Sequence, residues 1–446
     1  MADPSIFKAY DIRGVYGEEL DEGIAYLIGR AIVAHTGVPR ILVGHDMRVS
    51  SLPLREALVR GMNDQGADVV EMGLCSTPSF YWATQSYPAG VMVTASHNPG
   101  KYNGFKICRA GAIPVGSGSG MEEIERIVLE QDLPASTRKG VVSAVDTTDE
   151  FIRFNLSFLK TDNRFRVVVD AGNGMGGYTY GELLKRMPSN LIIIPMYFEP
   201  DGTFPNHEAN PLKYETLRAL QERVVAEHAD LGLSTDGDED RCIFVDNEGH
   251  IVPADITTAL LARQVLLERP GAKILYDIRQ TRAVPETIIE CGGIPVMTRV
   301  GHAYIKQTMR EQGGAFGGEV SGHYYNHEQS NTENTQIVFF RMLNLLATEG
   351  KTLAEMARPL LARYSKIEET NFTVKDAPGI IARLDAEYAP GAKEVSRIDG
   401  VRLDFDDWWF NVRASNTEPL LRLNLEAKTF PLMQEKLAEL SRKIQG

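Results

Sequence analysis

Cysteine is scarce in this chain: Cys75, Cys108, Cys242 and Cys291 are the only four in 446 residues, far apart and never as CxxC. That spacing argues against a disulfide frame or a thiolate zinc site and fits reduced, mostly buried thiols. Long apolar runs are missing too. A stretch such as LIIIP at 191–195 falls far short of the ~18 residues of a membrane helix, so no bilayer span is expected. The N-terminus, MADPSIFKAYDIRG, carries an early Asp3 and lacks a basic segment followed by an apolar one. It does not read as a signal peptide, and the mature chain is expected to begin here, in the cytoplasm. Basic excess is also absent. Lys and Arg number 47 against 60 Asp and Glu, a formal net charge of −13, which argues against a nucleic-acid partner. An anionic ligand would have to be held by local charge and backbone donors in individual loops.

What is present, 43% hydrophobic and 24% charged residues, is the material of a globular chain of roughly three domains. A similar unit recurs three times. Each opens with a short apolar strand ending in Asp: ILVGHD at 41–46, RVVVD at 166–170 and KILYD at 273–277. Helix-like stretches follow at 54–63, 180–187 and 283–291, then β-rich segments at 67–73, 191–197 and 294–301. A third strand then runs into a polar loop: VMVTASHNP at 91–99, LGLSTDGDEDR at 231–241 and AFGGEVSGH at 315–323. This alternation predicts βαβ units with largely parallel sheets, whose ligands bind at the carboxyl ends of the strands. After 362–370 the pattern changes to a strand, a helix around 379–388, strands at 401–405, 408–413 and 420–426, and a closing helix from Pro431. Short turns between strands imply an antiparallel sheet with helices on one face. The expected fold is three related α/β domains, with mixed, largely parallel sheets, plus a C-terminal α+β domain. The boundaries are read as 1–148, 149–250, 251–366 and 367–446.

Four segments carry candidate chemistry. In TDGDEDR, Asp236, Asp238 and Asp240 place three carboxylates in one tight loop; a divalent cation relieves their repulsion, and oxygen-only ligands select Mg²⁺ or Mn²⁺. A solvated acidic turn is the plainer alternative, but the apolar strand ahead of the loop and the adjacent Arg241 favour metal. A calcium EF-hand would need Gly and Glu where Arg241 and Asn247 stand. In TASHNP, Ser96 follows a strand and is expected to expose its hydroxyl on a turn. His97 need not face it, and a capping serine explains the segment equally well. In GEVSGH, Glu319, Ser321 and His323 suit recognition of sugar hydroxyls, although a plain turn suffices. In RASNTEP, Arg413, Ser415, Asn416 and Thr417 supply a guanidinium fork, two hydroxyls and an amide, more than a helix cap needs and well suited to a phosphate. A rival reading comes from GNGMGG at 172–177, which satisfies G-x-G-x-x-G after a strand, with Glu199 downstream, as in a nicotinamide-dependent dehydrogenase. It leaves the other loops without a job.

In this order, the four segments resemble the α-D-phosphohexomutase superfamily, most closely its bacterial phosphomannomutase/phosphoglucomutase branch. The likeness runs from KAYDIRG at 8–14 to RASNTEP at 413–419. The resemblance implies one loop from each of four domains around a central cleft. It makes Ser96 the phosphoserine, and Asp236, Asp238 and Asp240 the ligands of Mg²⁺ together with the serine phosphate. It assigns Glu319 and Ser321 to the sugar, and Arg413, Ser415, Asn416 and Thr417 to the phosphate that is not reacting. Arg13, Lys106 and Arg241 fall near the transferring group, and His302 and His323 are contacts or acid/base candidates. Glu239 departs from the small or neutral residue usual in the family and is expected to face solvent.

The activity implied is interconversion of hexose 1-phosphate and hexose 6-phosphate, of mannose and/or glucose. It would run through a hexose 1,6-bisphosphate that turns around in the site and also serves as activator. The implied partner is a small phosphosugar, with neither nucleic acid nor membrane involved, and the protein is expected to be a monomer or weak dimer. GEVSGH and SNTEP favour mannose and glucose over the alternative, a phosphoglucosamine mutase. A carboxylate phosphatase would need a small hydroxyl residue after its first Asp pair, where Glu239 and Asp240 stand.

Overall fold

The protein, here a computed structural model describing residues 2–131, 133, 136–414 and 420–445, divides into two compact units. One comprises Met1–Ile251 and Ser321–Gly350, the other Val252–Val320 and Lys351–Gly446. Among the described residues the strands form four sheets, three of them built on the expected repeat.

In the first unit, Arg40–His45 lies parallel between Asp68–Leu74 and Ala89–Val93. Likewise Phe165–Asp170 lies parallel between Leu191–Met196 and Leu231–Thr235. In the second unit Lys273–Asp277 lies parallel between Ile294–Thr298 and Gly314–Gly318. Each repeat thus puts its first strand in the middle, its second on one flank and its third on the other. The central strands read as apolar runs because both their faces are covered. Ile41, Leu42 and Val43, Val167, Val168 and Val169, and Ile274 and Leu275 have no accessible surface, and each such side chain contributes about 1.5–3 kcal/mol. Antiparallel strands complete the mixture: Tyr102–Arg109 beside Ala89–Val93, Ile12–Val15 beside Tyr102–Arg109, and Cys242–Asp246 beside Leu231–Thr235.

The C-terminal sheet is antiparallel, running Ser365–Lys366, Leu420–Ala427, Trp408–Ala414, Val401–Asp404, Glu394–Ser396, with Thr370–Thr373 also on Leu420–Ala427. Helices Ala377–Tyr388 and Phe430–Gln445 share its core through Leu384, Met433, Leu440 and Ile444.

The helices of the repeats are Ser51–Asp64, Met175–Leu184 and Ala283–Glu290. The second begins five residues ahead of the stretch read from sequence. Its first turn is hidden in the glycines of GNGMGG, which look like a loop. They are there for close packing: a Cβ on Gly176 would lie 2.3 Å from Thr235 Oγ1, and one on Gly177 2.0 Å from Phe198 O. Among the described residues no helix is long and apolar enough to cross a membrane. The four cysteines form no disulfide among the described residues; Cys75, Cys108 and Cys242 are buried and Cys291 is exposed.

Candidate active site

Ser96 lies just past the strand Ala89–Val93. The sequence suggests an exposed hydroxyl, but the residue is buried, 1% accessible, with φ of 52°. A serine in the left-handed region costs on the order of 1 kcal/mol, so its surroundings must impose the conformation. Arg48 supplies the constraint. One of its terminal nitrogens donates to Ser96 O and Asn98 O, both at 2.7 Å, and the other to Pro99 O at 2.9 Å and Tyr102 O at 3.0 Å. Its Nε pairs with Asp46 Oδ2 at 3.1 Å. Asp46 in turn accepts hydrogen bonds from Thr94 Oγ1 at 2.7 Å and Ser51 Oγ at 2.5 Å, while Thr94 Oγ1 accepts from Ser96 N. The loop carbonyls are gathered on one guanidinium. Ser96 Oγ donates to Asp236 Oδ2 at 2.8 Å and meets His97 Nδ1 at 3.3 Å. Burial, then Arg241 and Arg13, hold the His97 imidazole well below its usual pKa, so it stays neutral at pH 7. Arg13 donates to Asn98 Oδ1 at 2.7 Å and pairs with Asp11.

The acidic loop joins Leu231–Thr235 to Cys242–Asp246. Asp236, Asp238 and Asp240 are buried, and one ligand oxygen of each lies within 4.8 Å of the others. Lys106, opposite Met92 on Tyr102–Arg109, donates to Asp238 Oδ2 at 2.7 Å and Asp240 Oδ2 at 2.5 Å. Arg241 Nε stands 3.7 Å from Asp236 and 3.9 Å from Asp240, and His323 Nε2 3.4 Å from Asp240. Burial, then Asp240 and Asp238, push the Asp236 carboxyl well above its usual range. Asp240 is pushed up by burial too, but Lys106 and His323 hold it low. Burial pulls Lys106 down, yet Asp238 and Asp240 keep it above an ordinary lysine. Asp238 Oδ1 is buried with no hydrogen-bond partner among the described residues. An orphaned carboxylate oxygen in an all-oxygen cluster fits a hard divalent cation.

Glu239 corrects the sequence reading. It faces neither solvent nor the triad; it is 1% accessible, and burial pushes its carboxyl up to about 7 against hydrogen bonds from Thr179 and others.

In the second unit Glu319 is buried, accepting from Gly301 N at 3.1 Å and pairing with Arg279 at 3.4 Å. His302 opens the adjoining helix His302–Gln312. Arg279 is fixed by Asp277 at 3.0 Å, and Arg402 donates to the flanking carbonyls of Ile278 and Gln280. Arg413, on Trp408–Ala414, pairs with Glu369 Oε2 at 3.2 Å. Arg422 pairs with Glu369 Oε1 at 3.2 Å, and Asn424 donates to Oε2 at 3.0 Å. Burial would raise Glu369, but Arg279, Arg413, Asn424 and Arg422 hold it down at about 2. Ser321 belongs to the first unit, its Oγ 2.9 Å from His323 Nδ1. Ser415, Asn416 and Thr417 lie outside the described residues.

Family models for phosphoglucomutase/phosphomannomutase match the chain in four consecutive pieces. The α/β/α domains I, II and III match residues 4–135, 146–249 and 253–364, and the C-terminal domain matches 369–443. The chain belongs to the phosphoglucomutase/phosphomannomutase family. A phosphomannomutase of Salmonella montevideo is 36% identical over 450 residues, 99% of each chain. Phosphohexose mutases of Xanthomonas campestris pv. campestris are 37% identical over 445 residues, again 99% of each. The crystal structure of a phosphoglucomutase/phosphomannomutase family protein from Burkholderia thailandensis superposes with a TM-score of 0.90 at 32% identity, covering 100% of this chain and 98% of that one. As a member of this family the chain is an isomerase of hexose phosphates.

The dinucleotide rival fails on the backbone. Met175 N, opening the helix behind GNGMGG, donates to Gly237 O at 2.8 Å, and a Cβ on Gly174 would lie 2.8 Å from that oxygen. The place a pyrophosphate would need is taken by the acidic loop. Sequence reasoning missed Arg48, Arg279 and Glu369. A signal existed for the first two: HDMR at 45–48 and YDIR at 276–279 put the same Asp-x-Arg at the same place in two repeats, each with a guanidinium Nε on the carboxylate.

Proposed function

We propose that the chain interconverts hexose 1-phosphate and hexose 6-phosphate, of mannose and/or glucose, through a phosphorylated Ser96 and a hexose 1,6-bisphosphate that turns around before the second transfer. The hydrogen bond of Ser96 Oγ to Asp236, in a cage completed by Lys106 and Arg241, carries this reading. Phosphoryl transfer is mostly positioning and charge neutralisation. Bound to Asp236, Asp238, Asp240 and the serine phosphate, Mg²⁺ would supply Lewis-acid charge for the equatorial oxygens. Lys106 and Arg241 add fixed positive charge, and Arg13 steadies the loop through Asn98. His323 and His302 are the groups proposed to move the sugar hydroxyl's proton. Glu319 and Ser321 read the sugar, and Arg413 with Ser415, Asn416 and Thr417 grips the idle phosphate. Four domains, at 1–148, 149–250, 251–366 and 367–446, would each supply one of these loops, with free hexose 1,6-bisphosphate as activator.

Peptide mapping of the purified protein is expected to find one phosphoryl group, on Ser96, and Ser96→Ala to fold normally while losing nearly all mutase activity. Phosphate mapped elsewhere, with a fully active Ala variant, would refute the assignment. Parallel coupled assays with mannose, glucose and glucosamine phosphates decide the sugar, the glucosamine mutase being the alternative.

A further inference from the structure

The acidic loop alternates. Asp236, Asp238 and Asp240 turn their carboxylates into one cluster, and the residues between them turn away from it. Gly237 has no side chain to place, and a Cβ there would lie 2.4 Å from Ser96 O. Glu239 is the opposite case. Its φ of 68° is the left-handed region that favours glycine, and its side chain is buried. Left-handed backbone and a buried carboxylate, in a loop already holding three carboxylates, are two unfavourable features at one residue.

The surroundings explain why the residue is tolerated. The Glu239 carboxylate accepts hydrogen bonds from Thr179 Oγ1, from Thr335 Oγ1 at 3.1 Å and from Gln336 Nε2 at 3.5 Å. Thr179 stands on Met175–Leu184, while Thr335 and Gln336 are the first two residues of Thr335–Glu349, capped by Asn334. The exposed amide dipoles of a helix N-terminus favour an anion at that place. A third helix grips the neighbouring residue: Thr77, which opens Thr77–Thr84, donates its hydroxyl to Asp238 Oδ2 at 2.6 Å and its amide to Asp238 O at 3.0 Å. Three carboxyl groups crowded into one short loop tend to push it open. A residue between two of them, fastened from behind to two helices, opposes that splay directly.

We propose that Glu239 is a positioning residue, tethering the acidic loop to helices Met175–Leu184 and Thr335–Glu349 and thereby holding Asp238 and Asp240 in place for a divalent cation. This rests on the reading of the triad as a cation site. The tether is a feature of this chain's own residues, since a glycine at the same position would suit the backbone better and make none of these contacts.

Calorimetric titration of the full-length protein with Mn²⁺ and with Mg²⁺, read beside its Tm without metal, tests the tether. Loss of a group that orients ligands costs on the order of tenfold in metal affinity. Glu239→Gly is expected to raise Kd by roughly that factor, and Glu239→Gln, which keeps an acceptor oxygen, to stay closer to the unaltered protein. Thr179→Val removes one partner without touching the loop and is expected to shift Kd the same way by less, which keeps the test decisive if the glycine variant does not fold. An unchanged Kd with a lowered Tm in the Gly variant, or in Thr179→Val when that variant alone folds, would show that Glu239 only supports the fold. Equal losses in Gln and Gly would make charge, not tethering, the agent, and would overturn the proposal. No cation binding by the unaltered protein would refute the cation site itself, and the tether with it.

Discussion

Glu369 is a largely buried anion among the arginines of the C-terminal domain, and replacing it is expected to lower stability while strengthening the proposed binding of phosphate. Its carboxylate faces Arg413, Arg422 and Asn424 at 3.0–3.2 Å and Arg279 at 3.9 Å, and only 22% of its side chain is accessible. The fall of its pKa from 4.5 to about 2 corresponds to about 3 kcal/mol of stability at neutral pH. A depressed folded-state pKa gives stability that is complete above the unfolded value near 4.5 and is lost as pH falls toward 2. Glu369→Gln is therefore expected to unfold about 3 kcal/mol more easily in urea at pH 7, with the difference narrowing steadily below pH 4.5. The same substitution releases Arg413 and Arg422 from their resident anion, so inorganic phosphate should inhibit turnover at lower concentration. Unfolding curves at pH 7, 4 and 3 and phosphate inhibition at pH 7 are the measurements. A stability loss equal at all three pH values would mean that Glu369 acts by shape rather than charge, and unchanged phosphate inhibition would mean that the arginines are not the clamp.

Two further perturbations probe the acidic cluster and the proposed phosphate clamp separately. Lys106→Met removes the cation 2.7 Å from Asp238 and 2.5 Å from Asp240; leaving buried charge uncompensated costs about 3–5 kcal/mol, and Mg²⁺ should recover much of it, so the variant is expected to gain more Tm from Mg²⁺ than the unaltered protein does. An equal gain in both would separate Lys106 from the proposed cation site. Arg413→Ala removes the proposed guanidinium contact to phosphate, expected to contribute about 1.5–3 kcal/mol, and should lower kcat/KM roughly ten- to a hundredfold in both directions and increase dependence on added hexose 1,6-bisphosphate, with Arg413→Lys recovering only part. A defect in one direction alone, without added dependence on the activator, would refute the shared clamp.

The repeat was legible because it is written in strands. An apolar run ending in Asp, three times over, is enough to mark the central strand of each sheet, since only strands covered on both faces tolerate such composition. The same logic hid several helices. Thr335–Glu349 and Ala254–Glu268 are buried almost all round, so they lack the polar stripe that gives a helix its period in sequence. The start of Met175–Leu184 is masked in sequence because glycines required by packing at Thr235 and Phe198 look like the punctuation of a loop.

At the site the divide follows distance along the chain. The acidic loop and Ser96 could be picked out because each is a short motif after an apolar strand, and the motifs recur in a fixed order along the chain. Their hydrogen bond joins residues 140 positions apart, and the sequence alone places them only in separate repeats. For Arg48 the repeated Asp-x-Arg marks the position, but its partners are hidden. An arginine defaults to solvent, and what buries this one is four carbonyl oxygens from a loop about fifty residues further on, none of which has any signature in side-chain type. Glu239 fails in the same way and more sharply: an acidic residue among acidic residues reads as one more solvated charge, and only the arrival of a helix N-terminus and two threonine hydroxyls gives its carboxylate a reason to turn inward. Local motifs thus announce the groups proposed to react, while the groups that hold them in place are announced by the fold.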